Sequence, residues 1–240
     1  MTPTDAATSR WRRLLLVVAA VNIVVMLVIQ VLLAGAVIPP LLLFLLLYAV
    51  AIGLVRRPGK AGPIMVGVVS ILFVLTSLPF IVEDVSHPAS FLAFSTTLAG
   101  LVASVVGVLA MVGFLRGWPS ASAAQVGVVA LVVIVLGVGL SVVSSLFVSN
   151  QAAEGGDVVL KASEVEFKPD MARARAGRVS VHVGNEDLSR HTFTIDALDV
   201  DLEVPAGKSR RVEFSAQPGT YDFTCEVSGH EDMKGTLTVE

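Results

Sequence analysis

The sequence predicts α and β structure in separate domains of one chain: an N-terminal transmembrane bundle of about five helices, then a small β-sandwich. Three observations carry this. Hydrophobic residues make up 54% of the 240 residues and charged residues only 15%, too apolar for an ordinary soluble protein. The charges are segregated, with seven Lys/Arg and three Asp/Glu in residues 1–150 against 10 and 17 in residues 151–240. The hydrophobic pattern also changes, from long unbroken runs to strict alternation after about residue 157.

Five apolar runs are expected as spans: 14–37, 40–55, 63–82, 91–115 and 125–148. About 20 apolar residues cross a bilayer core, so 14–55 is too long for one helix. Pro39-Pro40 divides it, because proline is tolerated at a helix start and disfavoured inside one. The first run is longer than a signal-peptide core, so it reads as a span despite Ala34-Gly35-Ala36. Basic residues in the loops set orientation. With five spans, Arg10, Arg12, Arg13, Arg56, Arg57, Lys60 and Arg116 share one side, and Glu83, Asp84 and His87 take the other. The expectation is a multi-pass cell-membrane protein, N-terminus cytoplasmic and C-terminal domain extracytoplasmic.

The runs contain no Asp, Glu, Lys, Arg or His. Intramembrane ionisable groups mark ion and proton pathways, so the bundle reads as a packed anchor. Its polar groups are Asn22, Gln30, Thr76 and hydroxyls such as Ser95-Thr96-Thr97. Ala99, Ala103 and Gly107, four residues apart, and Gly137 and Ser141 invite close helix packing. His87 beside Glu83 and Asp84 reads as a solvated loop histidine.

Residues 1–148 thus form the membrane domain, 149–156 a polar linker, and 157–240 the second domain. There, "RVSVHVG" puts Val179, Val181 and Val183 on one face, and "HTFTID" does the same for His191, Phe193 and Ile195. "DVDLEV", "RVEF", "TYDFTC" and "GTLTV" continue the alternation, and Gly184-Asn185, Pro205-Ala206-Gly207 and Pro218-Gly219 mark turns. With "VVLKA" and "VEF" this makes seven or eight strands, enough for a sandwich. His182 falls opposite Val181 and Val183 and reads as a surface residue.

Cys225 is the single cysteine, so it forms no intramolecular disulfide. It shares a face with Tyr221 and Phe223, as His191 does with Phe193 and Ile195. A thiol and an imidazole on apolar faces need partners. "CEVSGHEDM" adds His230 and Met233 in one loop, where Gly229 permits a sharp bend. Zinc has little use for a thioether. One thiolate, two imidazoles and a weak axial methionine is the donor set of blue-copper centres. A buried apolar cysteine and a catalytic Cys–His pair stay open as alternatives, although the catalytic pair does not explain Met233.

At these residues the sequence resembles the cupredoxin (blue-copper) family. The resemblance runs through "EFKP", "AGRVSVHVGNED", "RHTFTID", "VPAGKSRRVEF" and "PGTYDFTCEVSGHEDMKGTLTV", over about residues 157–240. It implies a Greek-key sandwich of cupredoxin type holding one mononuclear type 1 copper ion. His191, Cys225 and His230 would be the strong ligands and Met233 the axial one. Many members carry asparagine after the first histidine, bracing the ligand loop. This chain has Thr192 there, so rigidity and potential depend on whether its hydroxyl takes over.

The expected function is a non-enzymatic, membrane-anchored one-electron carrier with a redox partner protein and no nucleic-acid partner. The alternative is copper storage, delivery or sensing, with a copper-accepting protein as partner. A third reading gives the work to the bundle, through Asn22 or Gln30.

Overall fold

The computed structural model describes residues 3–240, with side-chain environments from residue 8 onward. The chain divides into two compact units, Met1–Val142 and Val143–Glu240.

The first unit is helical: α1 (Pro3–Val28), α2 (Pro39–Val55), α3 (Ala61–Thr76), α4 (Leu78–Ser86), α5 (Phe91–Arg116) and α6 (Ser120–Phe147). A π-helical turn, Ile29–Leu33, extends α1, and α2 opens on Pro39-Pro40 as expected. Gln30 bridges this break, donating to the Met26 carbonyl and accepting from the Ile38 N–H. α5 ends on Gly117 in the left-handed conformation, a helix stop that glycine adopts without a Cβ penalty. The run expected as one span over 63–82 is instead two helices, α3 and α4, bent by 68°. Pro79, in the first turn of α4, favours a helix start there.

Thr8–Leu33, Phe91–Arg116 and Ser120–Phe147 are long and apolar enough to cross a membrane, and the bent α3–α4 pair makes a fourth if it is one span. Helix α2, at 17 residues, lies at the lower limit of about 17–25. Side chains tie the helices together at one end of this unit. There, Arg12 donates to the carbonyls of Val55, Arg57 and Gly59. Its guanidinium lies 5.1 Å from the Phe114 ring, and the Trp11 indole donates to the Trp118 carbonyl. The basic stretches around residues 12, 57 and 116 therefore gather at one end.

Small residues on α5 let its neighbours approach, as the spacing of Ala103 and Gly107 implies. A Cβ at Gly107 would lie 2.6 Å from Ser70 Oγ and 3.0 Å from Val18 Cγ1. Buried hydroxyls and amides pair among themselves: Tyr48 with Ser70, Ser104 with Asn22, and Asn22 with the Val18 carbonyl. Asn22 and Gln30 thus join helices and turns, as satisfied buried groups should.

The second unit is a two-layer β-sandwich of nine strands: β1 (Val158–Ser163), β2 (Glu166–Lys168), β3 (Met171–Ala174), β4 (Gly177–Asn185), β5 (His191–Ile195), β6 (Val200–Val204), β7 (Ser209–Ala216), β8 (Gly219–Thr224) and β9 (Lys234–Val239). One sheet runs β2-β1-β4-β7 and the other β3-β9-β8-β5-β6. The alternation places the predicted residues inside: Val179, Val181, Val183, Phe193, Ile195, Val200, Leu202, Val204 and Phe223 are all buried. Phe167, Phe193 and Phe223 stack edge-on or tilted, with centroids 5.1–6.3 Å apart. Strand β3 is the one not read from sequence, because "MARA" offers one buried side chain, Ala172.

His182 corrects the expectation of a surface residue, since it is buried. It does face away from the sandwich interior, but residues 150–151 cover that face. His182 Nε2 lies 2.9 Å from the Gln151 carbonyl, Gln151 N–H donates to Ser209, and the Asn150 and Gln151 side chains accept from the N–H groups of Ser209 and Arg211. The edge strand β7 is thereby capped, which removes a template for stray pairing.

Arg211 also donates to both oxygens of Asp157, at 3.0 and 2.9 Å. These bonds hold the Asp157 carboxyl below its usual range. A depressed folded-state pKa stabilises above the unfolded value, about 3.9, and the gain is lost as pH falls through the folded value. Asp157→Asn should therefore lower the melting temperature of the sandwich at pH 7, with the gap to wild type closing below about pH 4. In the bundle, Gly107→Leu should overpack the α1–α3–α5 contact and cost about 1–3 kcal/mol, read as earlier thermal unfolding of the helices in detergent.

Candidate metal centre

Three adjacent strands build the site. β5, β8 and β9 are neighbours in one sheet, with Thr194 opposite Thr224 and Thr224 opposite Lys234. His191 opens β5, Cys225 follows β8, and Met233 precedes β9, so all three fall at the same end. The loop between Cys225 and Met233 folds back on itself. Cys225 N–H donates to the Met233 carbonyl, Met233 N–H to His230, and His230 N–H to Val227, each at 2.9 Å. Gly229 supplies the required φ of 90°.

Three of the four donors expected from sequence meet, and Met233 is buried in the same core cluster as Cys225. Cys225 Sγ lies 3.7 Å from His191 Nδ1 and 3.7 Å from His230 Nδ1. All three donor atoms fall within 4.8 Å of one another, the one such His/Cys/Asp/Glu group among the described residues. Glu83, Asp84 and His87 form no such group; His87 Nδ1 instead lies 2.7 Å from the Glu83 carbonyl. His191 is fully buried, Met233 is 1% exposed and Cys225 5% exposed, while His230 is half-buried.

This donor set fits a metal ion. An edge of 3.7 Å is shorter than the sum of metal–nitrogen and metal–sulfur bonds of about 2.0 and 2.3 Å, the zinc values, so one ion can reach both ends. Burial pushes the Cys225 thiol up and holds His191 below the ordinary imidazole range, against the pull of Asp187. Without metal the pair is therefore favoured as neutral thiol and neutral imidazole. Metal binding takes the thiolate and releases its proton.

Two supporting residues complete the site. Thr192 occupies the position where the family often has asparagine, and its hydroxyl takes over the bracing. Thr192 Oγ1 accepts from the Glu226 N–H at 2.8 Å, and Thr192 N–H points at Cys225 Sγ at 3.4 Å. The strand before the ligand and the loop after it are thus tied together. Asp187 was not singled out from sequence. Its Oδ2 accepts from His191 Nε2 at 2.9 Å, and its two oxygens accept from the N–H groups of Glu164 and Val165. Burial alone would raise Asp187, but those two amides and His191 outweigh it and hold the carboxyl below its usual range. An acid four residues before a predicted ligand was the available signal.

The fold and site define a β-sandwich domain with a mononuclear, sulfur-containing metal centre. Residues 131–239 match the family model of the cupredoxin-like domain, and the C-terminal part of this chain is such a domain. Its His191, Cys225, His230 and Met233 form a candidate type 1 copper site. Solved structures with similar folds include a Cu(I) amicyanin variant, 18% identical over 38% of this chain and 87% of that one, at a TM-score of 0.32. A fern plastocyanin mutant is 27% identical over 34% and 99% of the chains, at 0.28. A chain of a heme-copper terminal oxidase dimer is 15% identical over 49% and 99%, at 0.31. No curated protein matches the chain.

Thr192→Val keeps the strand shape but leaves the Glu226 N–H without its acceptor. A lost hydrogen bond costs about 0.5–1.5 kcal/mol, so the metal-free sandwich should unfold at lower denaturant. The loop should also loosen, read as faster hydrogen exchange at residues 226–233.

Proposed function

We propose that this protein is a membrane-anchored, extracytoplasmic one-electron carrier with a single type 1 copper ion held by His191, Cys225, His230 and Met233. The observation that carries this is the buried Cys225 sulfur, 3.7 Å from the Nδ1 atoms of two imidazoles. Bound copper supplies a one-electron change between Cu(I) and Cu(II), with soft sulfur and imidazole donors suited to both states.

The chain's own residues do the rest. His191, Cys225 and Met233 are shut from water within a sandwich whose core lies beneath them. Packing and the Thr192 tie hold the donors in one arrangement, which limits rearrangement when charge changes. His230 is the more exposed of the two imidazoles and offers the route to a redox partner protein at the surface. The apolar helices provide the anchor. The gathering of Arg12, the 55–59 loop and Trp118 at one end supports a cytoplasmic N-terminus by the positive-inside rule. With α2 and the bent α3–α4 pair each counted as one span, the count is five, which favours an extracytoplasmic copper domain. Tethering raises its effective concentration near other membrane redox proteins. The excess of acids in residues 151–240 favours a basic partner surface and faster encounter.

The test is an optical titration of the full chain in detergent with Cu(II), beside Cys225→Ser. An intense thiolate-to-copper band saturating at one equivalent, and absent from the variant, is expected; a folded protein without the band overturns the copper reading. Stopped-flow mixing of the Cu(I) form with a one-electron oxidant then checks the carrier role. Rapid exchange is expected, while slow exchange with fast transfer of Cu(I) to a chelator would mark a copper-delivery protein.

A further inference from the structure

The imidazole of His191 is held from both sides. Its Nδ1 faces the Cys225 sulfur at 3.7 Å, and its Nε2 faces Asp187 Oδ2 at 2.9 Å. A carboxylate accepts, so Nε2 carries the proton and Nδ1 presents its lone pair to the metal position. Asp187 is itself anchored. Its backbone N–H donates to Asn185 Oδ1, and the Asn185 amide donates to the carbonyls of Ser189 and Val204. Its two oxygens also hold the N–H groups of Glu164 and Val165, both at φ 60°. For a β-branched residue such as Val165 this is a backbone outlier, of the kind that persists only where its surroundings over-determine it.

We propose that Asp187 is a positioning residue that sets the His191 tautomer and lowers the reduction potential of the copper centre. A carboxylate bonded to the far nitrogen of a ligating histidine fixes the ring and raises its basicity. A more basic imidazole favours Cu(II) over Cu(I). The same carboxylate couples the turn between β1 and β2 to the ligand, so that turn becomes part of the site. The inference rests on the copper reading above.

The experiment uses the full chain in detergent, loaded with copper, with redox titration of the thiolate-to-copper band. Asp187→Asn keeps the size and removes the charge. The expected result is a ratio of Cu(II) to Cu(I) affinity about tenfold lower than wild type, a rise in potential of about 59 mV. Asp187→Glu should recover part of the shift. Glu186→Gln removes the same charge one residue away, from an exposed side chain paired with Lys161, and should leave the potential unchanged. A wild-type band with equal potentials in wild type and Asp187→Asn overturns the proposal, as does an equal rise in Glu186→Gln. No band in wild type overturns the copper reading itself, a separable outcome. Should the Asp187 variants fail to fold, imidazole ¹⁵N shifts of the wild-type metal-free protein decide: a neutral His191 with the proton on Nε2 is expected, and a proton on Nδ1 sinks the proposal.

Discussion

The convergence of one sulfur and two imidazoles on the apolar side of a strand layer is the constraint on which the sandwich depends. Donors placed inside a core are costly unless something receives them. Here the strand ends bring them to each other. β5, β8 and β9 lie side by side, so the first residue of one, the residue after the second and the residue before the third share one end of the sheet. The aromatic cluster of Phe167, Phe193 and Phe223 fills the space beneath them. A sheet slip of one residue would turn His191 and Cys225 to the opposite face, so the register that buries Phe193 and Phe223 is also the register that assembles the site.

The helical unit obeys a different constraint. Away from their ends, α1, α3, α5 and α6 carry no ionisable side chains to pair, and a lipid-facing surface would give no hydrophobic reason for helices to associate. Close approach and buried hydroxyls take that role. Gly107 packs against Ser70 and Val18, a Cβ at Gly100 would lie 3.1 Å from Val25 Cγ1, and Tyr48 shares a hydrogen bond with Ser70. The ends are tied by longer-range contacts, chiefly Arg12 to the carbonyls that close α2. An arginine that donates to three carbonyls at and just after a helix end answers the usual deficit of donors there.

Much of this was legible in the sequence because two periods separate the units. Alternation at a spacing of two marked eight of the nine strands and put the right residues inside. The candidate site was legible because its three donor types, thiol, imidazole and thioether, are rare together. What escaped was set by neighbours distant in sequence. β3 is held by parallel pairing with β9, and "MARA" carries no pattern of its own. The bend between α3 and α4 hid in an unbroken apolar run, where Pro79 was the sign. His182 looks outward by period, yet residues 150–151 lie over it. Thr192 stood out by its place after His191, but its bond to Glu226 needed the fold, and Asp187, four residues before His191, gains its meaning only from the contact with that ring.

Those two residues divide the support of the site between them. Thr192 acts on the backbone: its hydroxyl and its N–H join β5 to the loop that carries Cys225 and His230. Its side chain is neutral, so it can fix distances with little effect on charge at the donors. Asp187 acts on the ring: it reaches His191 on the side away from the sulfur and carries a full charge. A donor set this buried has few water molecules to compensate a change of charge, so fixed protein dipoles and charges must do so. Placing the neutral brace next to the thiol and the charged brace behind the imidazole keeps the sulfur available to metal. It also leaves the electron density of the imidazole as the quantity the protein adjusts. On this division, potential and rigidity can vary independently, because different side chains control them, Thr192 from β5 and Asp187 from the loop before it.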